Sequence, residues 1–352
     1  MNLTVFATDS LTVEKPKQGW FSRLIDSFSE VDTNYVEPQH YNWALMLQSI
    51  NTYDYYKLSA GEGRNRQTIS FAPDLGIRIG PYFGWRWIFL GYTIDMRTMN
   101  IFSGKRKLEI DGSIYSSRFG ADIFYRRSVQ NYNIKSVDFG SSYETKSLEG
   151  VAFDGLNVSI TGVNLYYIFN HKRFSYPAAF AQSTCQKISC GSWMVGVGYL
   201  VNKIEFDYKR LEEIAKERLS HEVKLDSGLM FNSIKYTDIN ASVGYAYNWV
   251  FARNWLLCTS LSMALAYKTS RSETEGKKKE GFDFGNFNID GIGRFGLVWN
   301  NTKWYAGASA IVRAYNYHKS RFAANNIFGD LCIYVGMNFG LRKEYKNKKN
   351  KN

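Results

Sequence analysis

From Ser70 to Phe83 the chain reads SFAPDLGIRIGPYF, and every second residue is apolar: Phe71, Pro73, Leu75, Ile77, Ile79, Pro81 and Phe83. The residues between them, Ser70, Ala72, Asp74, Gly76, Arg78, Gly80 and Tyr82, are small or polar. Alternate side chains of a strand point to opposite faces, so this period predicts a strand with one oily face and one that is not. The pattern recurs. Tyr41, Trp43, Leu45 and Leu47 oppose Asn42 and Gln48. After the turn at GWR, Ile88, Leu90, Tyr92, Ile94 and Met96 oppose Phe89, Gly91, Thr93, Asp95 and Arg97, which predicts a hairpin. Val243 to Trp249 and Trp255 to Tyr267 repeat the design around VFARN. In the last such stretch Ile327, Leu331, Ile333, Val335, Met337, Phe339 and Leu341 share one side.

These segments amount to about twelve predicted strands: 40–59, 67–83, 87–101, 112–127, 155–170, 174–185, 191–206, 234–249, 255–268, 287–300, 303–318 and 326–341. In the second half, short turns (VFARN, NNTK) alternate with long polar loops (207–233, 269–286, 319–326). That is the habit of an outer-membrane barrel, though the long stretch 128–154 falls where a short turn is due. LEEIAKERL (211–219) predicts a short helix inside a loop, and QGWFSRLIDSFSEV (18–31) an amphipathic one before the first strand.

Three features favour lipid over a protein core as the partner of the oily faces. The faces run to seven residues, longer than sandwich strands average. Aromatic residues, 16% of the chain, collect beside turns at Trp43, Phe83, Trp87, Trp249, Trp255, Trp299 and Trp304, as rings that prefer a membrane interface do. The opposite faces are rich in Gly, Ser, Ala and Asn, unlike a second oily layer. The expected fold is therefore an all-β antiparallel transmembrane barrel over 40–341, in the outer membrane of a Gram-negative bacterium. Segment 1–39 precedes it and a basic tail, 342–352, follows. No apolar run is long enough for a membrane-spanning helix. The start MNLTVFATDS has small residues before Thr8, Val5 and Ala7, suggesting a remnant of a signal peptide near 1–7.

The expected lipid-facing residues are Phe71, Leu75, Ile77, Ile79, Phe83, Ile88, Leu90, Ile94, Leu257, Leu261, Ile333 and Val335. The expected interface aromatics are Trp43, Trp87, Trp249, Trp255, Trp299 and Trp304. Inward-facing candidates are Asp74, Arg78, Asp95, Arg97, Arg118, Asp122, Arg126, Arg294, Arg313 and Asp330. Such charges either pair into a plug or line a narrow pore, and the arginine excess would make that pore prefer anionic solutes.

DTNYVEP (32–38), the Gly84–Trp85 turn, FSYPAAFAQS (174–183) followed by CGSW (190–193), and the Gly- and Phe-rich last strand together resemble a family of uncharacterised exported β-barrel proteins from Bacteroidota, classed as a domain of unknown function. The resemblance spans nearly the whole chain after residue 30. It implies an outer-membrane location and carries no catalytic residues or cofactor.

An enzyme that hydrolyses or transfers lipid acyl chains is the rival class. The chain has four histidines. His40 precedes the first strand, and His171, His221 and His318 are the remaining candidate bases. No GxSxG elbow accompanies them. Cys185 and Cys190 could bridge a turn in an oxidising compartment; four cysteines without a CxxC spacing do not suggest zinc. The net charge of +12, concentrated in GKKKE (276–280) and KEYKNKKNKN, comes without a nucleic-acid-binding signature and is expected in solvated loops and a tail. Arginine in place of Ile77 or Leu90 should cost about 2–4 kcal/mol of folding stability in bilayers if the position lies at mid-depth. A neutral result in a vesicle-folding titration would contradict the lipid-facing register.

Overall fold

The alternating segments become strands in a computed structural model that describes residues 31–346, apart from 75, 86–87, 92–93, 96–107, 130–131, 141–143, 220–222, 273–286, 320–321 and 344. Among the described residues, fourteen strands of four residues or more form one antiparallel sheet. They are β1 (Tyr41–Ala60), β2 (Gln67–Pro73), β3 (Gly76–Trp85), β4 (Ile88–Gly91), β5 (Leu108–Tyr115), β6 (Phe119–Val129) and β7 (Tyr132–Asp138). They continue with β8 (Leu156–Ile168), β9 (Cys190–Phe206), β10 (Ser233–Ala252), β11 (Trp255–Ser272), β12 (Phe287–Asn300), β13 (Trp304–Lys319) and β14 (Phe322–Leu341). Two α-helices are described, α1 (Tyr176–Phe180) and α2 (Tyr208–Leu219).

β1 pairs with β14 along its whole length, Tyr41 opposite Leu341 and Ala60 opposite Phe322. From β14 the pairing passes through β13, β12, β11, β10, β9, β8, β6, β5 and β4 to β3. β3 in turn pairs with the first half of β1. The succession thus returns to the strand from which it began, joining the first segment to the last.

Within the predicted strand 67–83 the structure departs from the expectation. β3 sets Trp43 opposite Trp85 and Thr52 opposite Gly76. That register, continued, would place Tyr56 opposite Ala72, yet Tyr56 stands opposite Phe71. A slip of one residue lies between Pro73 and Gly76, and a one-residue slip sends every side chain beyond it to the other face. Ile77, Ile79 and Phe83 accordingly stand exposed on the outer face, whereas Phe71 is 0% exposed. Phe71 packs inside against Phe153 and Phe206, with ring centroids 5.1 and 6.0 Å away. The lipid-facing assignment of Phe71 is corrected on that ground. Leu75, Trp87 and Arg97 lie outside the described residues, as do 1–30, His221 and 347–352, and only the backbones of Ile88, Leu90, Ile94 and Asp95 are described.

The segment 174–185 is a helix-containing loop, not a strand. Ser175 caps α1, its Oγ accepting from the Ala178 amide at 3.2 Å, and Pro177 sits in the first turn, where its missing N–H costs nothing. The predicted strand 112–127 is in fact two strands, β5 and β6, joined at Ser116–Arg118. The stretch 128–154 then falls at the long-loop end, which removes the difficulty it raised in the loop pattern. There β2, β7, Ala152–Phe153 and α2 cover the sheet's interior. Phe71, Ile134, Leu211, Ile214, Leu229 and Phe231 pack in one apolar cluster with Leu156, Phe206 and Tyr236 of the wall.

On the outer face Leu261 (63% exposed), Met263, Leu265, Ile333 and Val335 form an apolar band, and Leu257 is half-buried. Trp43, Trp85, Trp193, Trp249, Trp255 and Trp304 stand exposed toward the short-turn end, with Trp299 half-buried. Tyr267 and Phe287 lie about a dozen residues farther along β11 and β12, roughly 40 Å of strand, or about 30 Å of height at a barrel-like tilt. Phe71→Ala should lower stability by about 3–5 kcal/mol, the usual cost of emptying a buried aromatic site. A loss below about 1 kcal/mol in a denaturant titration would return Phe71 to the outer face.

Candidate functional site: the filled interior

The inward faces of six strands bring charged residues together. Asp122 and Arg126 come from β6, Asp238 from β10, Lys268 from β11, Asp290 and Arg294 from β12, Arg313 from β13 and Asp330 from β14. Arg294 donates from Nη2 to Asp122 Oδ2 at 2.5 Å and from Nη1 to Tyr166 Oη at 3.3 Å. Asp122 Oδ1 also accepts from Ser113 Oγ at 3.0 Å and Tyr115 Oη at 3.3 Å. Arg126 Nη2 meets Asp330 Oδ2 at 2.5 Å, and Arg313 Nη1 lies 3.8 Å from the same oxygen. Both guanidinium groups also stand over the Phe328 ring, at 5.0 and 5.6 Å. Lys268 Nζ lies 2.8 Å from Asp290 and 3.2 Å from Asp238, and donates to the Asn316 carbonyl at 2.7 Å.

In these three groups four cations meet four carboxylates. Buried charges persist only in such company, because withdrawing an ion from water costs several kcal/mol that a partner must offset. Within these three groups the arginine excess is offset, Arg126, Arg294, Arg313 and Lys268 facing Asp122, Asp238, Asp290 and Asp330. The signal for Asp238 and Lys268 is the period of two itself, which puts them on the face opposite Val243 and Tyr267. Asp74 lies outside the interior, exposed beyond β2, where it accepts from Asn133 Nδ2 at 2.8 Å. Arg78 donates to Thr52 Oγ1 at 3.1 Å, and Arg118 is half-buried in the turn between β5 and β6. The Asp95 backbone stands opposite Arg78.

The loop between β8 and β9 folds inward from the short-turn end and acts as a plug. Tyr176 Oη donates to Ser260 Oγ at 3.2 Å, and its ring lies 5.7 Å from the Arg294 guanidinium carbon. Burial pushes the Tyr176 phenol up to about 12, so it remains a neutral donor. Asn248 Nδ2 donates to the Ser175 carbonyl at 2.8 Å, Asn300 Nδ2 to that of Gln182 at 3.2 Å, and Gln182 Nε2 to Tyr334 Oη at 2.7 Å. The plug is thereby held by β10, β11, β12 and β14. Beside it at the short-turn end is a cavity of about 1010 Å³ bordered by Asn42, Tyr115, Ser117, Tyr166, Ser175 and Thr184. Farther in, Tyr176, Asn240, Asp290 and Arg294 border a small cavity of about 40 Å³.

Cys185 and Cys190 are free thiols with separate partners. Cys185 Sγ approaches the Asn300 carbonyl at 3.6 Å, with burial raising its thiol to about 12, while Cys190 Sγ accepts from Asn170 Nδ2 at 3.1 Å. His171 lies in the turn after β8 and His318 near the end of β13; neither shares a hydrogen bond with a serine hydroxyl among the described residues.

Residues 30–339 match the model of a family described as "Domain of unknown function (DUF4421)". No curated protein matches the chain. Among solved structures it is similar to the outer membrane protease OmpT from Escherichia coli, at 8% identity and a TM-score of 0.33 over 85% of this chain and 97% of that one. The translocator domain of the autotransporter NalP from Neisseria meningitidis gives 10% and 0.34, over 85% and 88%. The toluene transporter TodX from P. putida gives 6% and 0.23, over 86% and 91%.

Replacing Lys268 with Met would leave two buried carboxylates facing each other without a cation. A loss of about 3–5 kcal/mol is expected on denaturant unfolding, with partial recovery when Asp238→Asn is added. An unchanged midpoint for the single variant would mean the cluster is open to water.

Proposed function

This chain belongs to the DUF4421 family, and from its own geometry we propose that it is an outer-membrane β-barrel of about twelve strands, closed by its own interior, with a structural role in the envelope. One observation carries the reading. The interior is filled at three levels: by the apolar cluster under α2, by the ion-paired layer and by the α1 plug. The unbroken succession of strand pairs supports closure, since hydrocarbon offers an unpaired strand edge no partner. The exposed apolar band flanked by aromatic rings supports the membrane location. Passage of small polar or anionic solutes would require α1 to leave and the arginines to part from Asp122 and Asp330.

The test is electrophoretic mobility of the detergent-purified protein with and without boiling, followed by conductance in a planar bilayer. A heat-dependent shift without steady channels is expected. Steady anion-selective channels would overturn the closed interior in favour of a pore. No shift, with solubility after detergent removal, would overturn the membrane location.

A further inference from the structure

A row of cations crosses the outer face near the long-loop end. Arg127 of β6 stands opposite Ser159, Ser159 opposite Lys203, Lys203 opposite Lys235, and Lys235 opposite Arg271. Five neighbouring strands thus place four basic residues in one lateral line. The side chains of Arg127, Lys203 and Lys235 are exposed on the outer face. Like charges directly opposite in an antiparallel pair destabilise it, so Lys203 beside Lys235 is a cost to the fold. One carboxylate moderates it, Glu205, whose Oε1 lies 2.5 Å from Lys203 Nζ. Among the described residues no carboxylate lies within 4.0 Å of Arg127 or Lys235.

Position along the strands supplies the second argument. Arg127 is two residues from Val129 at the end of β6, Lys203 three from Phe206 and Lys235 two from Ser233, all at the long-loop end. On the same strands and the same face, Ile123, Tyr199 and Ile239 are exposed and lie four residues nearer the apolar band. The cations therefore stand just beyond the oily surface, where a bilayer presents its headgroups. Cross-strand side chains start about 5 Å apart, so two long cationic side chains can converge on one phosphate, and charge-assisted bonds to its oxygens would relieve their repulsion.

We propose that this face binds the headgroup phosphates of anionic lipid, with Arg127, Lys203 and Lys235 as the contacts; the proposal rests on the membrane reading above. The probe is a diphosphorylated glycolipid, titrated against the full-length protein in zwitterionic detergent and read as lipid adducts by native mass spectrometry. For the Lys203→Gln/Lys235→Gln variant, apparent affinity should fall about thirtyfold, since each basic residue near an anionic surface supplies a comparable share. The variant should keep the wild-type heat-dependent mobility shift, which shows that it is folded. Equal binding by the folded variant, equal binding of the dephosphorylated glycolipid, or displacement by inorganic phosphate at equal concentration would each overturn the proposal. Flotation with neutral phosphatidylcholine vesicles separates the two readings. If wild type and variant both float yet bind the glycolipid equally, only the phosphate site fails; if the wild type does not float, the membrane reading fails with it.

Discussion

A strand whose inner face is packed with side chains sends its free amides to neighbouring strands. That constraint on the backbone governs the rest of the molecule. It explains why β1 and β14, at opposite ends of the sequence, are paired over twenty residues. It also explains why β1 needs two partners on its other side, with β3 serving the half near the short turns and β2 the half near the long loops. An edge left open on either half would strand a row of donors and acceptors.

Once the backbone is satisfied laterally, the interior becomes a problem of filling. The chain solves it with different chemistry at different depths. Near the long loops the inner face is apolar, and phenylalanine rings from β2, β9 and the segment at 152–153 stack under α2. Farther in, the same inward positions carry arginine, lysine and aspartate, each cation set between carboxylates or over aromatic rings. Toward the short turns, hydrogen bonds from Asn248, Asn300 and Gln182 take over. The arginines here act less as a selectivity ring than as the cationic halves of fixed pairs.

Much of this was legible in the sequence, because a period of two is a direct record of which face a residue occupies. Leu261, Ile333 and Val335 were readable as outward, and Asp122, Arg126, Arg294 and Arg313 as inward, from that period alone. What escaped was whatever broke the period. The slip between Pro73 and Gly76 leaves no mark in the alternation of SFAPDLGIRIGPYF, since the apolar residues keep their spacing while the register to β1 changes; only the partner strand reveals it. The predicted strand 174–185 fails because Ser175 and Pro177 together make a helix start. Joining β5 to β6 was the opposite error, and it displaced the expected loops between them and β9.

The plug also joins parts of the chain that lie far apart in sequence. Its two ends are tied to β8 and β9, which pair with each other from Leu156 to Ile168. Its hydrogen-bond partners come from both ends of the chain, β10, β11, β12 and β14 on one side and Val36–Glu37, which pairs with Cys185–Gln186, on the other. A loop between two middle strands thus holds together the stretch before β1 and the strands of the second half of the chain, so that loosening it would free both at once.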